Sequence, residues 1–134
     1  MFILTPYLFF SGRCEQALNF YCQCFDGYVL TKRYFHESPE HIEGVNPNWV
    51  MHAELITQHM KLMLSDGVAA QQLVDNQIAL SLVMDDLDQQ LILFDRLAER
   101  GKIMMPLADT FWGTRCGKVE DQFGIRWIIN CEFG

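Results

Sequence analysis

Polar and apolar residues alternate over short runs in this chain, and twice the alternation gives way to a helical repeat. Residues 5–10 are apolar and aromatic and predict a first strand. Ser11-Gly12 then precedes Cys14, Ala17, Leu18, Tyr21, Cys22 and Phe25, which recur at the i, i+3, i+4 spacing of a helix face, and Gly27 stops that helix. Residues 28–35 read as a second strand. Residues 36–48 are polar, contain Pro39, Gly44 and Pro47, and predict a loop long enough to cover something, closed by Trp49. Residues 50–57 and 60–65 form a hairpin about Gln58-His59, and 67–76 a connector.

The second half repeats the plan. Residues 77–84 predict a strand, and Asp86 with Gln89 opens a helix with a capping-box-like start. Leu87, Leu91, Phe94, Leu97 and Ala98 form its apolar stripe, and Gly101 ends it. Strands at 102–109 and 113–120 follow, then the turn Asp121-Gln122-Phe123-Gly124 and a final strand. An offset of 74 sets Phe20 over Phe94, Gln16 over Gln90, Leu8 over Leu82 and Gly27 over Gly101. We read an internal duplication of a strand, helix, three-strand unit, with one module at about 1–66 and the other at about 77–134. At 134 residues the two fit a single domain.

Strand parity divides each sheet into two faces. Ala53 and Leu55, Leu62 and Leu64, Leu80 and Leu82, and Trp127, Ile129 and Cys131 give a uniformly apolar face for helices to cover. The opposite face is mixed: His52, Glu54, Met63, Ser65, Gln77, Ser81, Arg126 and Asn130. A mixed face on an otherwise apolar sheet predicts a lined cavity. Its candidate ligand-binding residues are His52, Glu54, Gln77, Arg126 and Asn130, together with the flat side chains of Phe111 and Trp112 beside the glycine-containing hairpin. Arg126 suits an anionic ligand, because its planar fork matches a carboxylate or phosphate; a rim salt bridge is its alternative. His52 and Glu54 lie two apart on one strand, where they pair with each other or with neighbours such as Arg126.

Charge and composition narrow the function. Half of the residues are hydrophobic, so the chain is globular, and the net charge of −7 argues against nucleic acid as a partner. No apolar run approaches the roughly 20 residues of a membrane span, and the first residues lack the basic lead of a signal peptide, so a cytoplasmic location is expected. The five cysteines, Cys14, Cys22, Cys24, Cys116 and Cys131, are odd in number and form no Cys-x-x-Cys pair, which predicts reduced, mostly buried thiols. Glycine-rich nucleotide loops, an adenosylmethionine loop and a serine nucleophile elbow are all missing.

Thr110-Phe111-Trp112-Gly113, the hairpin, and Asp121-Gln122-Phe123-Gly124-Ile125-Arg126-Trp127 resemble the end of the PhnB-like branch of the vicinal-oxygen-chelate superfamily, the glyoxalase, bleomycin-resistance and dioxygenase relatives. Related families carry a 3-demethylubiquinone-9 3-methyltransferase label. The resemblance covers essentially the whole chain. It implies an α+β, glyoxalase-like fold: duplicated βαβββ modules, curved mixed sheets, helices on the convex face and a cavity on the concave one. It also implies a homodimer, in which modules complete each other's cups. In metal-dependent relatives four strand positions carry His, Glu or Gln; here they fall on Pro6 or Tyr7, Met63, Gln77 and Ile128. Of these only Gln77 offers a ligand. The expectation is therefore a protein that binds a small organic molecule without the usual metal or any cofactor. The alternatives are a lyase, isomerase or transferase with His52 as base and Glu54 orienting it, and a non-catalytic interaction protein.

Overall fold

The computed structural model describes residue 1 and residues 3–68, 78–110 and 113–132. The chain divides into two compact units, Met1–Gln72 and Leu73–Gly134. In the first, β1 (Tyr7–Phe9), α1 (Cys14–Phe25), β2 (Tyr28–Tyr34), β3 (Val50–Ile56) and β4 (Lys61–Ser65) build a sheet of order β1-β4-β3-β2. In the second, β5 (Leu80–Met84), α2 (Leu87–Ala98), β6 (Lys102–Asp109), β7 (Thr114–Glu120) and β8 (Arg126–Glu132) build one of order β5-β8-β7-β6. In each sheet the first strand runs parallel to the last, and the other neighbours are antiparallel. This is the α+β, duplicated βαβββ plan that the hydrophobic pattern predicts. The loop after β2 opens with a 3-10 turn at Phe35–Glu37, and its base is closed by backbone bonds from Phe35 to Trp49 and from His36 to Pro47.

Burial follows strand parity. Ala53, Leu55, Leu62 and Leu64 are buried in the first sheet, under Ala17, Leu18, Tyr21 and Cys24 of α1. Trp127, Ile129 and Cys131 are buried in the second, on the side carrying Phe94 and Leu97 of α2. All five cysteines are free thiols, and Cys14, Cys24 and Cys131 are buried.

Two sequence readings shift. Within the helices the duplication has an offset of 73, since Ala17, Tyr21 and Cys24 occupy the buried positions of Gln90, Phe94 and Leu97. Gln16 is exposed and Phe20 only half-buried, so neither is the counterpart first assigned to it. The offset becomes 74 after the helices because two residues, Glu99 and Arg100, separate α2 from Gly101, whereas Asp26 alone separates α1 from Gly27. Both glycines answer a backbone approach: a Cβ would stand 2.8 Å from the Ile56 carbonyl oxygen at Gly27 and 2.5 Å from that of Glu120 at Gly101. The second shift concerns α2. Leu87 and Leu91 are exposed, and Gln90 turns inward instead. Its amide donates to the carbonyls of Arg115 (2.7 Å) and Ile129 (3.1 Å), and its oxygen accepts from Arg115 Nε at 2.7 Å. A buried amide with its partners supplied costs little.

The N-terminus of α1 is held from outside. Its N-cap, Arg13, makes no side-chain capping bond. Asp66, just beyond β4 and buried, accepts at Oδ1 from the amides of Gly12 (2.7 Å) and Cys14 (2.8 Å), and at Oδ2 from Val50 at 2.9 Å. One carboxylate thereby joins the helix start, the start of β3 and the end of β4, with its charge at the positive end of the helix dipole. Asp66→Ala should lower unfolding free energy by about 3 kcal/mol or more in urea titrations, since three amides lose partners at roughly 1–3 kcal/mol each. Asp66→Asn should cost less, because one oxygen survives for Gly12 and Cys14. A loss under about 1 kcal/mol for Asp66→Ala would mean that the amides find other acceptors.

Candidate functional site

On the first sheet, the face away from α1 carries side chains set by two registers. Tyr7 pairs with Met63 across β1 and β4, and Met63 pairs with Glu54 across β4 and β3. Thr31 and Arg33 of β2 stand opposite Glu54 and His52. Lys32, between them, points to the other side and meets Glu15 of α1 at 3.3 Å.

A continuous hydrogen-bonded chain crosses this face. Tyr7 Oη lies 2.8 Å from His52 Nδ1, His52 Nε2 lies 3.0 Å from Glu54 Oε2, and Glu54 Oε1 receives Lys61 Nζ. A carboxylate only accepts, so His52 donates from Nε2; in the neutral ring Nδ1 then accepts the Tyr7 hydroxyl proton. The bonds from Lys61 and then from His52 hold the Glu54 carboxyl below its ordinary range. Burial pushes the Tyr7 phenol up, against the opposing hydrogen bond of Ser65. Beside the chain, the Tyr7 and Phe9 rings stack with centroids 4.9 Å apart and planes within 8°. Tyr7 and Phe9 remain 39% and 45% exposed to solvent.

The structure therefore brings His52 and Glu54 together and adds Tyr7, Phe9 and Lys61, which the sequence reading did not place in the site. Their signal was present: Tyr7 and Phe9 are aromatic residues at i, i+2 on a strand, and Lys61 shares the parity of Met63.

In the second unit Arg126 and Asn130 share the half-buried face of β8 opposite Trp127 and Ile129. Arg126 Nε meets Glu120 Oε1 at 3.2 Å on the adjacent strand. The turn before β8 is anchored by Asp121, which accepts from the amides of Phe123 (2.9 Å) and Ile125 (3.1 Å) and from the Trp127 indole at 2.8 Å. Gln77, Phe111 and Trp112 lie outside the described residues.

Similarity to known proteins agrees with this architecture. The family model of the glyoxalase/bleomycin resistance protein/dioxygenase superfamily matches residues 3–129. The chain belongs to that superfamily. It is 31% identical to protein YjdN of Escherichia coli (strain K12), over 95% of this chain and 93% of that protein. Among solved structures, protein PA1353 from Pseudomonas aeruginosa is similar at 32% identity and a TM-score of 0.83, covering 98% of both chains. A PhnB protein from Bacillus cereus shares the fold, with a TM-score of 0.80 at 24% identity over 96% of this chain and 98% of that one. The resemblance carried by residues 110–130 thus pointed to the family that the whole chain matches.

Membership allows the superfamily's metal positions to be tested against the strand registers. Tyr7 neighbours Met63 across β1 and β4; in the equivalent strands of the second unit Ser81 neighbours Ile128. By this register Ser81 stands where Tyr7 does; Gln77, the position read from the sequence, lies outside the described residues. A phenol bonded to His52, a thioether, a hydroxyl and a hydrocarbon do not fit a hard or borderline divalent cation. Among the described residues, no group of three His, Cys, Asp or Glu side chains stands close enough to hold one.

The depressed Glu54 carboxyl has a consequence for pH. A group whose folded pKa is lowered contributes stability that is present above its unfolded pKa and lost as pH falls through the folded one. The melting-temperature difference between the native protein and Glu54→Gln should therefore be widest near neutrality and shrink below about pH 4. A difference that stays constant over that range would show that Glu54 is not held as an anion.

Proposed function

We propose that this superfamily member binds a small organic molecule on the open face of its first sheet, against Tyr7, Phe9, His52 and Glu54. The observation that supports this reading is the Tyr7–His52–Glu54–Lys61 chain: oriented polar atoms beside exposed stacked rings, on the face away from α1. Apolar ring surface with a few convergent polar groups is the composition of a small-molecule site. Arg33, opposite His52, and Lys61 bias the face toward ligands with an oxygen anion or an acidic hydroxyl. Arg126 and Asn130 are proposed as ligand contacts on the second sheet. The reading uses no metal and no cofactor, in keeping with the side chains at the superfamily's metal positions.

Thermal melts with small aromatic carboxylates and phenols test it. A ligand at 100 times its Kd should stabilise the native protein by about 2.7 kcal/mol, and Tyr7→Ala and His52→Ala should each reduce that shift. Equal shifts in native and variant proteins would move the site elsewhere.

A second reading, an acid–base enzyme, is favoured by one contact. Glu54 on Nε2 fixes the ring and tautomer of His52, as an orienting carboxylate does for a catalytic imidazole.

We further propose that a second copy of the chain covers the outer strands. Tyr28, Val29 and Leu30 on β2 and Ile103, Met104 and Met105 on β6 are exposed, and both strands are sheet edges. Long apolar edges are covered or charged in stable proteins, and these carry mainly apolar side chains. Light scattering should give twice the chain mass, and Ile103→Lys with Met105→Lys should lower it toward the monomer. A native protein of monomer mass would sink this proposal.

A further inference from the structure

Both ring nitrogens of His52 are occupied, Nδ1 by the Tyr7 hydroxyl at 2.8 Å and Nε2 by the Glu54 carboxylate at 3.0 Å. No ring nitrogen is left to meet a ligand. The chain nevertheless has an open end, because a phenol oxygen that donates to His52 and meets Ser65 still keeps a lone pair. That oxygen belongs to a ring 39% exposed and stacked on Phe9. We infer that Tyr7, and not His52, is the group that touches the ligand, and that the ligand class is a planar molecule with an acidic hydroxyl, a phenol or an enol. The inference rests on the binding reading above and deepens it.

The step is a double proton transfer. The ligand hydroxyl gives its proton to the Tyr7 oxygen while the Tyr7 proton passes to His52 Nδ1. At Tyr7 one O–H bond breaks and another forms, so it stays a neutral phenol. The ligand becomes an oxyanion hydrogen-bonded to that phenol, and His52 becomes an imidazolium whose Nε2 proton faces Glu54. Two protons move, for a net transfer of one from the ligand to His52; nothing is oxidised, and no co-reactant is needed. Returned to a different atom of an enol, the proton would complete a tautomerisation. Every strand of the sheet brings a polar or charged group to His52 or its neighbours: Tyr7 from β1, Lys61 and Ser65 from β4, Glu54 from its own strand, and Arg33 from β2. Glu54 accepts the Nε2 proton, while Lys61 and Arg33 favour the ligand oxyanion. Burial, which pushes the Tyr7 phenol up, agrees with a tyrosine that passes protons on and does not hold a charge itself.

Two planar probes separate this relay from simple binding. 4-Nitrophenol has the acidic hydroxyl and a visible absorbance change on ionisation; 4-nitroanisole has the same ring and no acidic proton. With the native protein, bound 4-nitrophenol should ionise about one pH unit lower than in buffer, a tenfold gain in phenolate at a given pH. Tyr7→Phe and His52→Gln should be stabilised less by the probe than the native protein in thermal melts and, at saturating probe, lose that gain. Binding of both probes with no shift of the phenolate band in the native protein would overturn the relay and leave the binding reading standing. A band shift that persists in Tyr7→Phe would equally overturn the role of Tyr7. If neither probe stabilises the native protein, the ligand class falls and the binding reading with it.

Discussion

A single buried carboxylate holds the first unit in register. Asp66 takes the amides of Gly12, Cys14 and Val50, and its own amide donates to the Val50 carbonyl at 2.9 Å. The helix start and the first residue of β3 are therefore fixed to the end of β4. His52 lies two residues along β3 from Val50, and Ser65 directly precedes Asp66, so the same anchor sets the polar face on the far side of the sheet. Buried charge is tolerated here because Oδ1 meets two amides at the positive end of a helix and Oδ2 meets the amide of Val50.

The second unit answers the same problem with different chemistry. A buried amide takes over, with Gln90 bridging the backbone of β7 and β8 and receiving Arg115, whose guanidinium also reaches the Leu87 carbonyl at 2.6 Å. Asp121 adds the indole of Trp127 to its turn amides. The two units thus share one plan while their polar anchors differ. On the first sheet the face away from α1 carries a proton-bearing chain ending at Tyr7. On the second, Arg126 meets Glu120 and shares its face with Asn130. At the superfamily's metal positions the described side chains are a phenol, a thioether, a hydroxyl and a hydrocarbon, and the phenol is a partner of His52.

Sequence alone determined the alternation, and alternation determined most of the fold. Which residues of β3, β4, β5 and β8 face the helices was legible because side chains on a strand change sides at every step. Helix ends were legible too, since Gly27 and Gly101 stand where another backbone passes too close for a Cβ. His52 and Glu54 could be paired from their spacing on one strand. What sequence spacing does not carry is contact between distant strands. In the sequence Asp66 only closed the first module, Gln90 was matched with Gln16, and Tyr7 was one of two residues at a metal position. Each owes its role to a partner 25 to 54 positions away, at Arg115, Gly12 or His52. Strand pairing and helix docking choose those partners, so only the tertiary structure decided them.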